Sequence, residues 1–104
     1  MNVITIRPAP PPSIDDYKAA IVAMLDAKAQ ERRYDNAVSI STYEKSTEEA
    51  WAAEAVAYIA WRDQVWKCAY AELKKVELGQ RTQPTVEGFL EELPTLTWPS
   101  GSAS

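Results

Sequence analysis

The sequence predicts an all-α domain in which one long helix packs against an antiparallel first helix, a shorter third helix follows, and extended segments flank them at both ends. Two observations carry this expectation. From Ser46 to Leu78 there is neither glycine nor proline, and apolar residues recur there at three- and four-residue spacing, the period of a helix face. The motifs Ser13-x-x-Asp16 and Ser46-x-x-Glu49 stand where capping boxes open helices.

The elements follow in order. Residues 1–12 hold Val3, Ile4 and Ile6 and then Pro8, Pro10, Pro11 and Pro12, a composition for an extended arm, since prolines favour polyproline II and oppose a helix. Composition leaves open whether the arm packs on its own domain or lays Val3 to Ile6 on a partner. Residues 13–99 form the helical domain, and 100–104 read as a loose tail. The first helix is expected over 14–32, with Ile14, Tyr17, Ile21, Met24, Leu25 and Lys28 on one face and alanines that permit close approach. Tyr34-Asp35-Asn36 suits a turn, and 37–46 reads as an irregular or single-turn connector.

The long helix is expected over 47–78, with a main stripe of Trp51, Ala55, Tyr58, Arg62, Val65, Ala69, Leu73 and Val76. A second stripe, Ala52, Val56, Ile59, Trp66 and Tyr70, makes the helix apolar on more than one face, so covering on two sides is expected. Gly79 is placed to end it in the left-handed region. Pro84 and Thr85 open the last helix, with Val86, Phe89, Leu90 and Leu93 apolar, and Pro94 stops it.

The bulk numbers narrow the function. A chain of 104 residues forms one core. A net charge of −4 without a basic run disfavours nucleic acid, and the acids are too dispersed for a DNA mimic. No stretch approaches the ~20 apolar residues that span a bilayer, and the N-terminus does not resemble a signal peptide. With no histidine the commonest general base and metal ligand are missing. Cys68, the single cysteine, is expected to be a structural thiol on a helix flank, and the pairs Glu48-Glu49 and Glu91-Glu92 are sequence neighbours that do not face each other on a helix. No enzyme, cofactor or metal site is expected. Four tryptophans in a small domain direct attention to binding. Arg62, beside Trp61, Asp63 and Trp66, reads either as an arginine paired with a carboxylate such as Glu54 or as an interface anchor. The candidate partner-binding residues are Val3, Ile4, Ile6, Trp51, Trp61, Arg62, Trp66 and Trp98.

The run Tyr34-Asp35-Asn36, Ser41-x-Tyr43, Glu54-Ala55, Trp61-Arg62-Asp63-x-Val65-Trp66, Gly79, Pro84-Thr85-Val86-Glu87 and Leu93-Pro94-x-x-x-Trp98-Pro99 resembles the C-terminal region of phage tail-fibre assembly chaperones and of the small accessory proteins encoded beside tail-fibre genes. The resemblance covers about residues 14–99. It implies a chaperone or accessory protein that binds a fibre or other tail protein in the bacterial host cytoplasm and assists its folding or assembly. A structural subunit retained in the tail or fibre tip, and an inhibitor of a host protein, are the alternatives. The short N-terminal arm stands where many such chaperones carry a larger domain. Self-association into a homo-oligomer is compatible with the two stripes of the long helix.

Overall fold

A computed structural model describes residues 10–99. Its elements are α1 (Ile14–Gln30), α2 (Ala37–Ser41), α3 (Glu49–Glu77) and α4 (Val86–Glu92), with no strand among the described residues. The protein is all-helical, as its periodicity predicts. Val3, Ile4 and Ile6, like the tail 100–104, lie outside the described residues.

The start of α1 is a complete capping box. Ser13 Oγ accepts from the Asp16 amide at 3.2 Å and Asp16 Oδ2 accepts from the Ser13 amide at 2.7 Å. The helix ends at Gln30, two residues short of expectation, because the chain turns through Arg33 at φ 70°. That residue lets the Tyr34 amide reach back to Ala29 O and the Arg33 amide to Gln30 O, the paired bonds of a Schellman ending. The next turn is locked from both sides, as Asp26 Oδ1 accepts from the Ala37 amide and Asn36 Oδ1 caps α2 through the Ser39 amide.

α3 departs from expectation at its first residues. Glu48 is the N-cap and carries no side-chain cap, while Ser46 Oγ accepts from the Glu48 amide two residues on. This local hydroxyl turn takes the place of the Ser46–Glu49 capping box and delays the helix to Glu49. The C-terminal end matches its signal. Gly79 has φ +70°, Gln80 donates to Lys75 O, and Gly79 donates to Val76 O, again the Schellman pair.

The two left-handed residues make opposite predictions. A Cβ at Gly79 meets nothing within 4 Å, so Gly79→Ala costs about 1 kcal/mol through backbone conformation alone. Arg33→Gly relieves the same strain and raises stability by about 0.5–1 kcal/mol. Urea midpoints of the two variants, moving in opposite directions, check this.

The core joins Tyr17, Ile21, Leu25 and Ala29 of α1 to Ala55, Tyr58, Trp61, Val65, Ala69 and Leu73 of α3, with Ile40, Phe89 and Leu93 closing its ends. α1 and α3 run antiparallel: Lys18 lies over Tyr70, Tyr58 bonds Leu25 O, and Arg32 meets Glu54. Tyr17 meets Phe89 edge-on at 5.1 Å and donates its hydroxyl to Pro84 O, seating α4 against α1. Arg81 clamps the α3–α4 connection, with Nη1 on Glu72 and both terminal nitrogens on Glu92. Its proximity helps hold the Glu92 carboxyl below its ordinary value, and Glu72 is lowered by Lys75 and then Arg81.

The expected main stripe of the long helix is buried at Ala55, Tyr58, Val65, Ala69 and Leu73 and departs from expectation at three positions. Trp61, not Arg62, occupies the buried position, Trp51 is 46% exposed, and Val76 is half-buried. Trp61 is drawn inward because its indole N–H finds the Pro94 carbonyl at 2.8 Å, and Arg62 is left at the margin. Among the described residues the second stripe is only partly covered: Ala52, Ile59 and Trp66 are half-buried, and Val56 and Tyr70 are exposed.

Candidate functional site

Three surfaces hold those residues singled out by the sequence that lie among the described ones. The first is concave. The extended stretch after Leu93 runs alongside α1, and between them opens a groove of about 310 Å³ lined by Met24, Ala27, Leu90, Leu93 and Leu96, with Trp61 at its base. Lys28, Glu31, Glu91, Pro94 and Thr95 complete the lining, giving an apolar slot with a few charged groups, the general constitution of a binding cleft.

Trp98 helps to fix that stretch. It stacks on Tyr58 at 6.3 Å with planes 19° apart and donates Nε1–H to Glu31 Oε1 at 3.2 Å. Arg32 sits 5.2 Å and Lys28 5.9 Å from its ring centre, both within cation–π range. The hydrogen bond from Lys28, and then that from Trp98, hold the Glu31 carboxyl below its ordinary value. Trp98 is therefore a half-buried closure of the domain, and Trp61 is buried at 7% exposure. Trp61 lines the groove.

Behind Trp98 lies a polar core. Glu54 is 2% exposed, accepts from the Tyr34 hydroxyl at 2.9 Å, and has Arg32 at 3.6 Å. The expected Glu54–Arg62 pairing does not form; Arg62 instead donates Nε and Nη2 to Asp63 Oδ1. Burial, and then the bond to the Glu54 carboxylate, push the Tyr34 phenol above its ordinary value, and burial raises Tyr58 to about 12. A phenol whose pKa is higher folded than unfolded stabilises the fold fully below the unfolded value of 10.0 and loses that contribution as pH rises through the folded one. Stability is expected to fall between about pH 10 and about 12, and Tyr58→Phe to flatten that fall, read from urea midpoints across the range.

The second surface is the α2–α3 end, where Trp51 meets Tyr43 edge-on at 5.9 Å and Val38 is 73% exposed. The third is the outer face of α3, where Trp66 stacks on Tyr70 at 5.6 Å near Lys18, with Arg62 and Asp63 one turn away. The structure brings Arg62 and Trp66 to one face and places Trp51, Trp61 and Trp98 elsewhere. Met24, Ala27 and Leu90, which line the groove, have only ordinary core-face signals in sequence. Among the described residues, no group of acidic or cysteine side chains could hold a metal ion and no helix is long and apolar enough to cross a membrane.

No protein-family model, curated protein or solved structure matches this chain.

Proposed function

We propose that the chain is a non-catalytic assembly factor that binds a phage tail-fibre polypeptide and assists its folding or attachment. The observation that carries the binding role is the apolar groove over Trp61, wide enough for one or two apolar side chains of an extended segment. The choice of a tail-fibre partner rests on the Trp61-Arg62-Asp63-x-Val65-Trp66 and Leu93-Pro94-x-x-x-Trp98-Pro99 resemblance, of whose residues Trp61, Leu93 and Pro94 line this groove.

Co-expression with a tail-fibre polypeptide tests the reading. The fibre should become soluble and co-elute with the chain, and mature particles should lack it; retention in particles would instead make it a tail subunit. Ala27 is exposed in the groove wall, so Ala27→Arg fills the slot while leaving the core intact. It should reduce co-purification by about tenfold or more with an unchanged circular dichroism spectrum. Full retention of binding would remove the groove from the account.

A further inference from the structure

The outer face of α3 carries an apolar stripe that the other described residues cover only in part. Val56 and Tyr70 are 56% and 52% exposed, with Ile59 and Trp66 half-buried beside them. The arrangement of the stripe is close to palindromic. Ile59 and Trp66 lie three residues either side of the adjacent pair Arg62–Asp63, and Val56 and Tyr70 lie about two turns either side. The central pair is itself one cation and one anion, held at 2.9 Å and partly open to solvent on both sides.

A sequence of this kind is complementary to its own reverse. We propose that the outer face of α3 binds a second copy of this chain, antiparallel, about a two-fold axis passing between Arg62 and Asp63. Under that axis each Arg62 faces the partner's Asp63, each Ile59 the partner's Trp66, and each Val56 the partner's Tyr70, the reciprocal pairing of an isologous contact. The same operation opposes the helix dipoles and brings the acidic start of α3, Glu48 and Glu49, to the end of the partner helix that carries Lys74 and Lys75 alongside Glu77. A parallel pairing would set the lysines against the lysines and align the two helix dipoles, so the antiparallel form is favoured. Trp61 and Tyr70 are nine residues, two and a half turns, apart and thus on opposite sides of α3. The dimer leaves both Trp61 grooves facing outward.

A contact made by one helix per copy is small, so the dimer is weak, with a dissociation constant on the order of micromolar. Light scattering and sedimentation over rising concentration should show the mass moving from 11.6 kDa toward twice that value. Val56→Glu and Tyr70→Glu, both at exposed positions, should each weaken association by at least about tenfold without altering helicity. In a Cys68→Ala background, Asp63→Cys should form a disulfide-linked dimer on mild oxidation. Val56→Cys should not, because antiparallel packing sets its two copies about 20 Å apart along the axis. A monomer at every concentration, association indifferent to both glutamates, or cross-linking through Val56→Cys in place of Asp63→Cys would overturn the proposal.

Discussion

Tyr58→Ala is expected to lower the unfolding free energy by about 3–5 kcal/mol. A chain of this size has a total on the order of 5–15 kcal/mol, so the variant loses much of its stability. Tyr58 is fully buried and supports three elements at once. Its ring meets Trp61 edge-on at 5.4 Å and Trp98 nearly in parallel, while its hydroxyl donates to Leu25 O at 2.6 Å, fastening α3 to α1. Truncation leaves a ring-sized cavity beneath both tryptophans, and the stretch carrying Trp98 loses the surface it stacks on. Tyr58→Phe keeps the packing and removes only the hydrogen bond, so it should cost about 1 kcal/mol. Urea denaturation of the pair separates packing from the bond; equal losses would contradict this division.

The second large effect is at Glu54. Glu54→Ala is expected to cost about 2–3 kcal/mol, because it strips a buried carboxylate from Arg32 and from the Tyr34 hydroxyl. The figure lies below that for a fully buried ion pair because the Arg32 side chain keeps 19% of its exposure and retains the Trp98 ring beneath it. Combining Glu54→Ala with Tyr34→Phe should cost less than the two singly, with a coupling of about 1 kcal/mol. Additivity in that cycle would mean that the Tyr34–Glu54 bond contributes nothing.

The helix ends were the part most fully written in local sequence. Ser13 with Asp16, Thr85 ahead of Gly88, and Gly79 each act within one turn of themselves, so their signals survive without knowledge of the fold. The Ser46–Glu49 motif failed for an equally local reason, since Ser46 found the Glu48 amide first. The burial of Trp61 in place of Arg62 was not legible. Apolar side chains occur around much of its circumference, and periodicity alone ranks the stripe through Arg62 close to the one through Trp61. The choice is made by Pro94, 33 residues beyond Trp61, whose carbonyl takes the indole proton. Glu54 was hidden in the same way: its burial depends on Arg32 and Tyr34, which the left-handed turn at Arg33 brings to α3. The groove depends on α1 meeting the stretch after Leu93, and no short-range pattern encodes such a meeting.

The groove also gives the most direct test of the binding role. Met24 is one of two methionines in the chain and lines the slot, and its thioether is readily oxidised when exposed. Hydroxyl-radical footprinting of the purified complex with a tail-fibre polypeptide should show Met24 oxidation falling severalfold relative to the chain alone, and Ala27→Arg should abolish the complex. A complex in which Met24 oxidises as fast as in the isolated chain would contradict the account.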